Sequence, residues 1–183
     1  MPRLLVLTDR SQLPLGRSLL VTLTDCVRAG ATAIVVRELD LADAHRDALA
    51  AELSGLGATV LAAHRPLPHA SGVHLPAGAP APSGSYGRSC HSGADVVAAA
   101  AEGAAWATLS PYAVSASKPG YGPPVSIEEF HSHPLPVYAL GGIDADNAAA
   151  ARSAGAHGVA VMGEMMRSAD PAALVGRLLE AVA

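Results

Sequence analysis

At 183 residues, half of them apolar and 15% charged, the chain has the composition of a folded domain or a small barrel, which excludes a disordered segment. A net charge of −4 without any Lys/Arg run gives no electrostatic support for binding a nucleic-acid backbone or an anionic membrane. Cys26 and Cys90 stand far apart and outside any CxxC, which argues against a disulfide framework or a structural zinc site.

Aromatic residues make up only 3% of the chain, so the core is expected to be built from Val, Leu, Ile and Ala. No apolar run approaches the roughly 18 residues of a membrane span. Met1-Pro2-Arg3 leads into a short strand-like stretch that ends at Asp9-Arg10, so no signal peptide is expected and the cytoplasm is the expected location.

Short apolar runs alternate with helical stretches along the chain. Leu4–Thr8 reads as a strand, and Ser18–Ala29 carries Leu19, Leu20, Leu23, Cys26 and Val27 at helical spacing. Ala33–Arg37 is the second strand, Leu41–Leu56 an Ala/Leu helix, and Thr59–Ala63 the third strand. Arg65–Ser71, with two prolines, is too short and broken for a helix. Gly72–Leu75 and Tyr86–Cys90 are strands four and five, separated by a Pro/Gly/Ala-rich loop over Ala77–Ser85. Gly93–Glu102 is a helix and Trp106–Leu109 the sixth strand. After a loop around Lys118–Pro124, Val137–Leu140 is strand seven, Asp144–Ala154 a helix stopped by Gly155, and Gly158–Val161 strand eight. Pro171–Val182 is the last helix, with Asp170 at its N-cap.

Strands that alternate with helices imply a parallel sheet. Eight of them point to an α/β fold, a small (β/α)8 TIM barrel filling residues 1–183 as a single domain, with abbreviated helices after strands 3, 4 and 6. An open flavodoxin-like sheet, using five or six of these strands, is the alternative.

Several segments carry chemistry at the strand ends. Gly141-Gly142 directly after a buried strand lets backbone approach a ligand, and a helix beginning at Asp144 would aim its free amides at the same place. A second glycine turn, Met162-Gly163-Glu164, follows strand eight, and barrels commonly bind phosphate after strands seven and eight. Ser115 and Ser117 beside Lys118 suit an anion-binding loop. Arg37 is placed either to grip a dianion in the barrel mouth or to pair with Glu38 or Asp40 at the rim. Ser89 and His91 share one face of strand five. No Gly-x-Ser-x-Gly elbow accompanies them, so His91 reads as a substrate-orienting residue rather than a general base. His64 and His74 end strands three and four, while His131 and His133 read as surface residues.

In order, Leu7-Thr8-Asp9-Arg10, Arg37-Glu38-x-Asp40-Leu41, Gly72-Val73-His74-Leu75, Gly87-x-Ser89-x-His91-Ser92, Ser110-Pro111-x4-Ala116-Ser117-Lys118-Pro119-Gly120, Leu140-Gly141-Gly142-Ile143-x3-Asn147 and Gly158-Val159-Ala160-Val161 resemble the thiamine phosphate synthase/TenI family over nearly the full length. The resemblance implies a small (β/α)8 barrel. It also implies a transferase of thiamine biosynthesis that joins hydroxymethylpyrimidine diphosphate to a thiazole phosphate and releases pyrophosphate. By the same resemblance Arg37, Ser89 and Lys118 hold pyrophosphate. Ser115 and Ser117, with the amides of Gly141, Gly142, Gly163 and Glu164, hold the thiazole phosphate. The expected partner is therefore a small phosphorylated heterocycle. Oligomeric state is left open, a homo-oligomer included.

The chain also departs from the family pattern. Leu39 stands where the family has a Lys, and Val35 where it has a Gln. Ala63-His64-Arg65 replaces an Asn-Asp pair, and Pro76-Ala77-Gly78-Ala79-Pro80 lacks the acidic ligand expected there. Mg2+ takes carboxylates, phosphate oxygens and water; the resemblance implies this cofactor while the residues that would hold it are missing. The TenI branch isomerises a thiazole carboxylate phosphate with a His that falls near Pro111 here. A TenI-like thiazole-phosphate isomerase and a non-catalytic phosphate-ligand binder are therefore the alternatives to the transferase.

Overall fold

The computed structural model describes residues 1–115, 120 and 122–183. Eight parallel strands close into a barrel in chain order: β1 (Leu4–Leu7), β2 (Ala33–Val36), β3 (Thr59–Ala63), β4 (Gly72–Leu75), β5 (Tyr86–Cys90), β6 (Trp106–Leu109), β7 (Val137–Leu140) and β8 (Gly158–Val161), with β1 paired to β8. The helices around it are α1 (Leu19–Arg28), α2 (Asp43–Gly55), α3 (Gly93–Ala101), α4 (Ala148–Ser153), α5 (Gly163–Arg167) and α6 (Pro171–Ala181). Short 3-10 turns cover Arg10–Gln12 and Ile127–Phe130. Among the described residues no α-helix follows β3, β4 or β6, so the open-sheet alternative falls and the trimmed barrel stands.

Local signals set these elements. Ser18, Ser92 and Asp170 each accept a first-turn amide at the N-cap of α1, α3 and α6. Pro171 opens α6, where a missing N–H costs nothing. Along β1, Leu4 and Val6 face the helices while Leu5 and Leu7 face the barrel interior. The outer layer is mainly the expected Val, Leu, Ile and Ala packing, joined by Tyr86, Phe130, Met165 and Met166.

The interior is mostly Leu, Val and Ala as well, but it adds two large rings. Its floor is aromatic: Trp106 lies edge-on to Tyr138 at 5.9 Å and stacks on His74 at 4.9 Å. Gly87 makes room for this ring, because a Cβ there would lie 2.2 Å from the indole.

Two helices differ from their sequence reading. The helix expected from Asp144 begins at Ala148. The Asp144 carboxylate takes the amides of Asp146 and Asn147, and the Asn147 side chain accepts from the Asp144 amide, so a side-chain turn replaces the first helical turn. α5 was not expected; its five residues are too few to show a periodicity.

Candidate active site

The C-terminal strand ends enclose a cavity of about 440 Å3, the position at which barrels carry their chemistry. Arg37, Ser89, His91, Ser115, Gly141, Gly142, Gly163 and Glu164 all line it. Ser117 and Lys118 lie outside the described residues.

One wall is made by the turns after β7 and β8. Gly141 and Gly142 have φ of +90° and +68°, a region that favours glycine. They also receive the loop after β6: Tyr112 and Ala113 donate their amides to the carbonyls of Leu140 and Gly141, each at 2.9 Å. A Cβ on Gly142 would lie 2.6 Å from the carbonyl oxygens of Ala113 and Val114. The glycine pair is thus required by loop docking as well as by any ligand. Asn147 secures the turn by donating to the Gly142 carbonyl at 2.7 Å. Gly163 and Glu164 form the first turn of α5, where amides have no intrahelical partner.

The opposite wall comes from β2 to β5. Arg37 lies just past β2. Its amide donates to Thr8 Oγ1 at 2.9 Å, and its guanidinium meets the Thr8 carbonyl at 3.4 Å, Met162 Sδ at 2.9 Å and Asp9 at 3.9 Å. The rim pairing considered for Arg37 is made by another residue. Arg10 bridges Glu38 at 3.0 Å and Asp40 at 2.6 Å, so both carboxylates are engaged by it rather than by Arg37. Burial alone would raise the Asp9 carboxyl, but hydrogen bonds from Ser11 and Gln12 and the Arg37 charge hold it below the usual range.

His74 is buried, with Nε2 3.1 Å from Thr108 Oγ1 and 3.3 Å from Ser89 Oγ. Burial, followed by the charges of His64 and Arg37, pushes its pKa down to about 3, so the ring is neutral and orients Ser89 without adding charge. His91 Nδ1 lies 3.0 Å from the Ser110 carbonyl, which can only accept, so this nitrogen carries the proton. Burial pushes the thiols of Cys26 and Cys90 up to about 12, which removes both as nucleophiles.

Two arginines in or beneath the cavity wall escaped the sequence reading. Arg167 of α5 lines the cavity, and its guanidinium donates to Gln12. Arg46 of α2 is fully buried beneath Arg37. It donates to the carbonyls of Arg37 at 3.0 Å, Val36 at 3.3 Å and Ala63 at 2.6 Å, and pairs with Asp43 at 2.9 Å. Neither residue belongs to a recognisable motif. The signal that could have found Arg46 is the missing helix after β3, which leaves strand ends to be covered by a neighbour.

The donors do not suit Mg2+. Where β3 and β4 end, the cavity is lined by Ala63, His64, His74, Pro76 and Ala77. The carboxylates that line it, Asp144 and Glu164, follow β7 and β8 instead. Among the described residues no three His, Cys, Asp or Glu side chains cluster to hold a metal. A hard cation with oxygen preference finds the imidazoles of His64 and His74 and no carboxylate on the wall where it is expected.

Among the described residues no helix is long and apolar enough to cross a membrane. The fold is close to that of thiamine phosphate pyrophosphorylase from Pyrococcus furiosus, with a TM-score of 0.84 at 24% identity over 98% of this chain and 95% of that one. Thiamine-phosphate synthase from Salinispora arenicola is 31% identical over 179 residues, covering 96% of this chain and 78% of the relative. A protein of Geobacter sulfurreducens, provisionally named thiamine-phosphate synthase, is 35% identical over 189 residues, covering 92% and 88%. A family model described as thiamine monophosphate synthase matches residues 69–165, the stretch holding His74, Ser89, the Gly141-Gly142 turn and Gly163. With the cavity built on those same strand ends and relatives matching along almost all of its length, the chain belongs to the thiamine monophosphate synthase/TenI family.

Proposed function

We propose that the protein is a transferase that joins hydroxymethylpyrimidine diphosphate to a thiazole phosphate. The observation that carries this reading is a cavity that holds N–H donors at two opposite poles, each suited to an anion. His64 follows β3 and Gly141 follows β7, four strands apart in a ring of eight, so the poles face each other across the barrel. The Gly141, Gly142, Gly163 and Glu164 amides, with Ser115, would take the thiazole phosphate. Arg37 and Ser89, joined by Lys118, would take the diphosphate. In the reaction the bond from the pyrimidine methylene to the diphosphate oxygen breaks, the bond from that carbon to the thiazole forms, and pyrophosphate leaves. Arg37 would neutralise the charge that grows on the leaving group, and preorganised donors of this kind are worth most where water is excluded. Ser89, held beside the neutral His74, adds a hydroxyl that reorganises little.

The test is to incubate the protein with both substrates and follow thiamine phosphate and pyrophosphate together. Stoichiometric appearance of the two supports the reading. Binding of the thiazole phosphate without any coupling would instead favour an isomerase or a ligand-binding protein.

A further inference from the structure

We propose that the pole around Arg37 and His64 is a metal-free anion site, which takes the diphosphate end of the substrate on a guanidinium and an imidazole. This rests on the transferase reading above for the identity of the ligand, but its physical basis is independent.

Among the described residues, Asp9 is the one carboxylate within 4 Å of the Arg37 guanidinium, at 3.9 Å. Other arginines carry closer carboxylate partners: Arg10 on Glu38 and Asp40, Arg46 and Arg65 on Asp43 at 2.9 Å, and Arg88 on Glu102 at 2.8 Å. The Arg37 guanidinium, which lines the cavity, is therefore weakly neutralised, and its donors meet mostly neutral atoms.

His64 stands beside it in a backbone conformation that disfavours side chains, with φ +65°. The conformation is held from both sides. The His64 amide donates to the His74 carbonyl at 2.8 Å, and Arg46 grips the preceding carbonyl of Ala63 at 2.6 Å. The ring itself makes no hydrogen bond among the described residues, yet it lines the cavity. A constrained backbone that presents an unpartnered polar ring to a cavity is what a preorganised ligand donor requires.

The surrounding charge has one sign. Burial, and then the positive charges of Arg37, Arg46 and Arg65, depress the His64 pKa, with no carboxylate acting in the other direction. An oxyanion placed there meets N–H donors in a positive field, and by linkage it draws a proton onto His64. A carboxylate-held cation would meet the same field as repulsion.

The test is isothermal titration calorimetry of the whole protein with inorganic pyrophosphate, first in EDTA and then with excess Mg2+. The expected result is binding in EDTA that Mg2+ leaves equal or weakens. Binding that appears only with Mg2+, or in neither buffer, would overturn the proposal. Two variants locate the site. Arg37→Met should weaken pyrophosphate about tenfold or more, and His64→Asn, whose new side chain tolerates positive φ, by about fivefold. Parent-like affinity in both variants would place the anion elsewhere and also overturn the proposal. The transferase reading fails separately. A protein that binds pyrophosphate in EDTA but forms no thiamine phosphate loses that reading and keeps this site. One that both turns over and binds pyrophosphate only with Mg2+ does the reverse.

Discussion

Nε2 of His74 lies 3.1 Å from Oγ1 of Thr108, sealed inside the barrel above the Trp106 ring. The neutral ring is part of the fold, and this gives stability a pH dependence of known sign. Its folded pKa, about 3, is below the value near 6.5 expected once unfolded. As pH falls the unfolded chain takes up the proton first. The contribution is complete above about pH 6.5 and is lost progressively toward pH 3, at up to about 1.4 kcal/mol per unit. Urea denaturation of the parent should weaken between pH 6.5 and 5, before most carboxylates titrate. His74→Gln should give a flatter profile over that interval. Equal slopes for the two proteins would show that the ring is not held neutral.

Arg46 ties the strand ends that carry the site. Its guanidinium satisfies three carbonyls of two adjacent strands, and a lysine's compact ammonium cannot span them. Arg46→Met removes a buried donor from each of those carbonyls, of which that of Ala63 keeps a second partner, the Arg65 amide at 2.8 Å, and the expected loss is about 2–4 kcal/mol of unfolding free energy. Arg46→Lys should lose less stability. It should still weaken pyrophosphate, because the Arg37 and Ala63 carbonyls on either side of the anion pole are no longer held together. Denaturation and calorimetry on the same pair of variants separate the two effects. A lysine variant with reduced stability and parent-like affinity would show a purely structural role.

Much of this barrel was legible because its strands are short apolar runs bounded by glycine, proline and small polar residues. Thr59–Ala63, Tyr86–Cys90 and Val137–Leu140 fall where the pattern puts them. Ser89 and His91 reach the mouth as strand alternation suggests, whereas alternation left Arg37 open between the mouth and the rim. What stayed hidden depends on tertiary context. Arg46 sits on a helix whose charge pattern suggests a solvent face, yet the absent helix after β3 turns it inward. Asp144 and Asn147 look like the start of a helix, but their side chains capture the amides that the helix would have used. Arg10 rather than Arg37 meets Glu38 and Asp40, and no local spacing distinguishes two arginines brought together by β1 and β2.

The glycine turn after β7 can be tested against a matched control. Gly142→Ala imposes φ +68° on an alanine and drives its Cβ to 2.6 Å from two carbonyl oxygens. Gly78→Ala carries the same backbone strain, at φ +72°, into open space. The control should lose roughly 1 kcal/mol, and Gly142→Ala roughly 2–4 kcal/mol as the loop after β6 undocks. Thermal denaturation measures both. Loss of thiazole phosphate affinity should follow Gly142→Ala alone. Equal destabilisation by the two substitutions would mean that the loop shifts without cost and that the second glycine is not needed for docking.

Arg37 should separate stability from catalysis most sharply. Its guanidinium holds no buried carboxylate, and its closest partners are a thioether and a carbonyl. Asp9 keeps its hydrogen bonds to Ser11 and Gln12 when Arg37 is removed, so no buried charge is orphaned. Arg37→Met should therefore change unfolding free energy by less than about 1 kcal/mol, while kcat/KM falls roughly 100- to 1000-fold. Arg37→Lys restores the charge but not the planar fork that matches phosphate oxygens, so it should recover only a small part of the rate. Steady-state kinetics beside denaturation curves decide the matter. If Arg37→Met unfolds the protein as readily as Arg46→Met, then Arg37 serves the barrel rim rather than the leaving diphosphate, and the charge that stabilises the departing group must come from elsewhere in the cavity.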